Sequence, residues 1–156
     1  MPDRLDALKI VIGGVGGAVA IAIMELLSAR NAFPLFAVPF ASSIAMVMGT
    51  PETAPAQPRP LIGGHLVCTL VGLIVLNIAG PSPWAAAAAV GLSIVAMHLT
   101  RTFHPPAGVD PVIVVMNDMS WTFLLAPVGA GALLLAIFAY CWHNLFRRQT
   151  WPLKWF

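Results

Sequence analysis

Charge is what this chain has least of. Only 14 of its 156 residues are Asp, Glu, Lys or Arg, against roughly a quarter in an ordinary soluble domain. The net charge of +2 is too small to recruit nucleic acid. Cysteine is scarce as well. Cys68 and Cys141 both sit inside apolar runs, which excludes a disulfide-stapled secreted fold and reads as small buried hydrophobes. No Cys-x-x-Cys or His-x-x-x-His spacing occurs, so no metal site and no cofactor is expected.

The space is filled by apolar residues, 59% of the chain. Uncharged runs span Asn31–Pro51, Pro60–Thr100 and Met119–Phe146. Each reaches the roughly 20 residues that a helix needs to cross a bilayer core of about 30 Å. The fold class is therefore an all-α polytopic membrane protein. Residues 1–146 form one transmembrane domain. Residues 147–156, where cations alternate with aromatics, form a tail at the cytoplasmic interface. Arg4 and Lys9 ahead of Ile10 mimic a signal peptide, but Asp3 and Asp6 spoil its basic region, so the first span is expected to be retained.

Six apolar segments follow: Lys9–Ala29, Pro34–Gly49, Leu61–Ala79, Trp84–Thr100, Pro106–Asn117 and Trp121–His143. The second and fifth would reach only about 24 Å and 18 Å as helices, too short for a straight crossing. They are half-helices, partly extended crossings or re-entrant loops. If all six segments cross, seven of the eight cations fall on one side and only Arg30 on the other. If the second and fifth re-enter, the split is five to three. The positive-inside rule favours six crossings with both termini cytoplasmic. Trp84 and Trp121 would mark the outer interface, and Trp142, Trp151 and Trp155 the inner one.

Two triplets, each with a short middle segment, suit a 3+3 inverted repeat. A shift of 66 residues places Pro39 on Pro105, Ala41 on Ala107 and Gly63 on Gly129. Chance matches in a chain rich in Ala, Gly and Pro are the other reading. The glycines of Gly13-Gly14-Val15-Gly16-Gly17 suit close helix packing, a face for a homo-oligomer.

Chemistry concentrates at Thr100–Pro111. Pro105 and Pro106 suit a helix's first turn, so the amides from Ala107 and Gly108 onward would face an anion. Pro39 ahead of Ser42 and Ser43 repeats the pattern; helix packing by small residues is the plainer explanation of those serines. Two half-helix N-termini would then converge near the midplane on a small anion, with Arg101 and His104 close by. His65, His98, His104 and Glu25 are ionisable groups in apolar layers, candidates for function by default. Glu25 suits an interfacial acid near Arg30. Asp110 would orient His104 or cap the next helix. An enzyme built on the histidines and Asp110 lacks a recognisable nucleophile–base spacing.

At Leu99-Thr100-Arg101-Thr102-Phe103-His104-Pro105-Pro106-Ala107-Gly108 the chain resembles the HPP integral-membrane family. Pro39–Ser43 is similar to that family's Pro-Phe-Gly-Ala-Ser block, with Ala41 and Ser42 in place of Gly-Ala. Ala56-Gln57-Pro58-Arg59-Pro60 with Gly63-Gly64-His65 is similar to its Ala-Gln-Pro-Arg and Gly-His blocks. The resemblance implies a small helical membrane protein. Plastid relatives are implicated in nitrite movement, so it also implies a small inorganic anion as ligand. By position it singles out Ser42, Ser43, His65, Arg101, His104, Pro105, Pro106 and Gly108 as binding residues. Pro39 and Ala107 complete the expected binding set, with Gln57, Arg59, His98 and Asp110 in support. With no transit peptide, a bacterial plasma membrane is expected. A transporter or channel is the leading reading, and a non-transporting scaffold or sensor subunit the alternative.

Overall fold

A computed structural model describes residues 4–31 and 38–155, with side chains from 7 to 29 and from 38 onward. Six α-helices run in the order α1 (Arg4–Asn31), α2 (Ala41–Gly49), α3 (Pro58–Ala79), α4 (Pro83–Leu99), α5 (Asp110–Met116) and α6 (Ala130–Cys141), and no strand occurs among the described residues. Wider turns extend α6 on both sides, giving an apolar stretch from Leu124 to Phe146 that is kinked where Ala126 is extended. By length and composition that stretch, Ala7–Ala29 and Pro58–Ala79 can each cross a membrane.

Local chemistry sets the boundaries. α3 starts on Pro58 and Pro60, where a missing N–H costs little. It stops at Gly80, whose φ of +69° suits glycine, with Gly80 N bonded to Leu76 O at 2.9 Å. The Ser82 hydroxyl accepts from Ala85 N at 3.1 Å and caps α4. α4 ends in a Schellman pair, Thr102 N to Met97 O and Arg101 N to His98 O. The left-handed residue there is Arg101, with φ +57°. An arginine pays a steric cost at that position which a glycine would not.

The direction of each helix follows from its neighbours. A Cβ on Gly13 would lie 2.7 Å from Met48 O, and Gly17 faces Ile44. α2 therefore runs antiparallel to α1, from mid-bundle to the end where Lys9, Gly49, Glu52, Arg147 and Arg148 share one pocket. We call this the charged end. α5 runs the opposite way. Thr102 and His104 lie against Gly63 and Gly64, Pro111 lies against Gly72, and Ile113 packs with Leu76 and Ala85. The short helices thus start inside the bundle and leave toward opposite ends. Long–short–long occurs twice in opposite senses, the element pattern of an inverted repeat.

Two expectations change. Most of the glycine face of α1 is used within the chain: a Cβ on Gly16 would lie 2.5 Å from the Trp142 indole and one on Gly13 2.7 Å from Met48 O, while Gly14 has no neighbour within 4 Å. Trp151 is 1% exposed and packs beside His143, with ring centroids 5.9 Å apart. It is a core residue and no interface marker, because the tail folds back onto the bundle. There the Gln57 side-chain oxygen accepts from Leu153 N at 2.8 Å and Lys154 N at 3.3 Å.

Candidate functional site

The buried stripe of α3 carries Leu61, His65, Thr69, Leu73 and Leu76, spaced three or four residues apart on one helix face. Leu61 joins an apolar core with Phe40, Val47 and Leu135. Leu73 and Leu76 join another with Ile113 and Val114. His65 and Thr69 lie between them, fully buried, and the chain surrounds them with polar groups.

These groups form one continuous chain. His104 Nδ1 donates to Pro55 O at 2.7 Å. His104 Nε2 lies 2.9 Å from Ser43 Oγ, and Ser43 Oγ lies 2.8 Å from His65 Nε2. His65 Nδ1 is 2.7 Å from Asp110 Oδ2, to which Thr69 Oγ1 donates at 3.3 Å. Ser43, His65, His104 and Asp110 are all 0% exposed. Asp110 Oδ1 is buried and has no hydrogen-bond partner among the described residues. All four ring nitrogens of the two histidines are engaged.

The backbone is shaped to permit this. A Cβ on Gly64 would sit 2.7 Å from His104 Cβ and 2.9 Å from Thr102 O. The bare glycine lets the Thr102–His104 segment lie on α3. Arg59 on α3 donates to Thr100 O at 3.1 Å, and Thr100 and Thr102 share a 2.7 Å hydroxyl contact. Ser43 belongs to the first turn of α2, behind the short turn Val38–Phe40, and the Phe40 ring lies 4.6 Å from that of His65.

A pocket of about 460 Å³ opens at the charged end, lined by Glu52, Ala54, Gln57, Arg59, Arg101 and Lys154 among others. Pro55, the acceptor for His104, sits between two of its lining residues. Arg147, outside the spanning helices, donates to Met48 O at 2.8 Å. Burial draws its guanidinium below the ordinary value, and Glu52 opposes that shift.

The two sequence blocks meet, but differently from the helix-terminus expectation. Ser43, His65, His104 and Asp110 converge, with Pro39 and Ala107 buried around them. Asp110 pairs with His65 and not with His104. Ser42, Arg101 and Pro105 are exposed, while Pro106 and Gly108 are half-buried. His98 is exposed and stacks on Phe103 at 4.3 Å, away from the cluster. Glu25 is exposed, and the side chain of Arg30 lies outside the described residues. Ala107 N is spent on His104 O at 3.0 Å, because the tight turn Pro105–Val109 closes on itself. Asp110 supplies its own carboxyl to the first turn of α5. Along α3, about 33 Å long, the cluster runs from about 10 Å at His65 to about 16 Å at Thr69. Thr69, Glu52, Lys154 and the Pro55 carbonyl escaped the sequence reading. Thr69 was signalled, four residues from His65 on the same helix face.

No solved structure matches the chain. Two transmembrane proteins of Dictyostelium discoideum are similar to it. One is 31% identical over 99% of this chain and 53% of its own length, the other 35% identical over 74% and 44%. The chain thus spans about half the length of the curated relatives it matches. The family model of the HPP transmembrane region covers residues 2–152, and the chain belongs to the HPP family.

Proposed function

We propose that the protein is a transporter or channel for a small monovalent inorganic anion, with nitrite the first candidate from the family resemblance. One observation carries the reading. Two half-helices start inside the bundle around a buried, connected Ser–His–His–Asp chain, next to a pocket lined by Arg59, Arg101 and Lys154. Paired broken segments mark binding sites in secondary transporters. Ionisable groups within an apolar layer mark pathways. The cationic pocket would gather anions by long-range attraction. The protein would sit in a plasma membrane, bacterial by the sequence reading, with the charged end cytoplasmic. Influx of nitrite, nitrate, formate and chloride into sealed proteoliposomes tests the proposal. No influx of any of them, with folded protein, would sink it.

A second reading has a specific observation behind it. Ser43, His65 and Asp110 repeat the order of an acyl-transfer triad, hydroxyl to imidazole to carboxylate, at 2.8 Å and 2.7 Å. Transport is preferred because Ser43 is 0% exposed and flanked by two imidazoles. A substrate carbonyl has no approach to its oxygen. Covalent labelling of Ser43 by a fluorophosphonate would reverse the preference.

A further inference from the structure

The protons of the buried chain can be counted. Four contacts of 2.7–2.9 Å link Pro55 O, His104, Ser43, His65 and Asp110. Each needs one hydrogen, since two bare lone pairs at that distance repel. The Pro55 carbonyl only accepts, so His104 Nδ1 carries a proton. Ser43 supplies one proton to one of its two neighbours. Two contacts remain. With His65 and His104 neutral and Asp110 ionised, one proton is left for them. The chain is short by one, and that state also buries an unpaired negative charge among apolar cores.

We propose that Ser43, His65, His104 and Asp110 hold one extra proton, shared along the chain and reached from the charged-end pocket, and that the anion enters with it. The second half rests on the transport reading above. One arrangement is neutral throughout. Asp110 Oδ2 donates to His65 Nδ1, His65 Nε2 to Ser43 Oγ, Ser43 to His104 Nε2, and His104 Nδ1 to Pro55. Leaving Asp110 Oδ1 unpartnered then costs less than it would on a carboxylate. Three hops in one direction convert it. The Asp110 proton passes to His65 Nδ1, the His65 Nε2 proton to Ser43, and the Ser43 proton to His104 Nε2. The result is a carboxylate at Asp110 and an imidazolium at His104, with no atom gained or lost. The cation then stands at the pocket side of the chain, where an arriving anion stabilises it. Besides His65 and Thr69 on α3, Asp110 has the buried thiol of Cys68 in electrostatic reach, near Ser93 of α4. Glu52, Arg59 and Arg101 are the charged groups toward the pocket.

Two measurements on the full chain in lipid test this. The first needs no transport: nitrogen-15 spectra of the histidines, with infrared spectra of the carboxyl groups, at neutral pH. Expected is either a carboxylic-acid band that vanishes in Asp110→Asn or an imidazolium signal assigned to His65 or His104. Two neutral imidazoles beside an ionised Asp110 would overturn the extra proton. The second follows internal pH in proteoliposomes given inward nitrite and nitrate gradients, against protein-free vesicles as the background for acid permeation. Expected is one proton entering per anion, a coupling abolished in Ser43→Ala. Influx that is accelerated by potassium and valinomycin and brings no acidification would overturn the coupling and leave the transporter standing. No anion influx, with the spectral signature present, would overturn transport and coupling together and leave the proton store.

Discussion

Ser43 Oγ lies 2.9 Å from His104 Nε2 and 2.8 Å from His65 Nε2, so one hydroxyl joins two imidazoles carried by separate parts of the chain. Around it the two interrupted segments are held together. Removing the oxygen in Ser43→Ala leaves both nitrogens buried without a partner. Each buried orphan costs about 1–3 kcal/mol. The variant is expected to melt earlier in detergent than the wild type, and anion influx is expected to fall. An unchanged melting temperature would show that the link contributes nothing to stability.

The second prediction concerns Gly64. Its α-hydrogen faces His104 Cβ and Thr102 O, where a methyl would approach within 2.7 Å and 2.9 Å. Gly64→Ala must push the Thr102–His104 segment off α3, at an overpacking cost of about 1–3 kcal/mol. Gly91→Ala is the control, because nothing lies within 4 Å of a Cβ there. It is expected to leave stability level or raise it by up to about 1 kcal/mol, as glycine is a poor helix residue. Thermal unfolding of the two variants side by side checks the contrast.

Arg101 offers a case where stability and function should part. It holds φ +57° at the end of α4, a conformation costing a non-glycine residue about 1 kcal/mol or more. Arg101→Gly is expected to melt higher than the wild type. It also removes a cation from the pocket shared with Arg59 and Lys154. Anion influx is expected to weaken as a higher KM, with the loss greatest at low salt, where long-range attraction is least screened. Arg101→Lys, which keeps the charge and the strain, should retain most of the influx. Equal activity in all three would remove Arg101 from anion capture.

Gln57 tests how the tail is held. Its side-chain oxygen receives Leu153 N and Lys154 N, while its nitrogen donates to Pro51 O at 2.8 Å. Gln57→Ala cuts both ties to the tail and leaves the Trp151 anchor alone to hold it. Limited trypsin digestion is expected to remove the tail faster in the variant than in the wild type. Equal rates would mean that Trp151 packing alone secures it.

Much of this was legible in the sequence, and the misses have identifiable causes. Apolar length placed six helical segments in the right order, and the expected start of the second, Pro34, lies outside the described residues. The boundary errors arose at prolines. The segment drawn from Leu61 starts three residues late, because Pro58 and Pro60 open α3, where no N–H is required. Pro106–Asn117 looked like one segment, but Pro105–Val109 is a tight turn and the helix starts at Asp110. The family blocks singled out Ser43, His65 and His104 among their site residues, together with Ser42, Arg101 and Pro105, which stay exposed. They could not say that Asp110 pairs with His65, because that depends on the register of α5 against α3 across 45 residues. His98 was misplaced for a related reason. It sits on the last turn of α4, and its ring is taken by Phe103 once Arg101 turns the chain.

The direction of α2 agrees with the six-crossing topology that the cation count favours. α2 leaves the bundle interior toward the end shared by Lys9 and Arg147, so Glu52 in the following connection belongs with Lys154. A re-entrant second segment would instead return Glu52 to the side of Thr122. Single cysteines at Glu52, Thr122 and Lys154, introduced with Cys68 and Cys141 replaced by alanine, separate the cases. All three positions are exposed. In sealed vesicles of one orientation, a membrane-impermeant maleimide is expected to label Glu52→Cys and Lys154→Cys from the same side, and Thr122→Cys from the other. Were Glu52→Cys labelled together with Thr122→Cys, α2 would not cross. The half-helices would then start from one face, and the opposed directions of α2 and α5 around Ser43 and Asp110 could not stand.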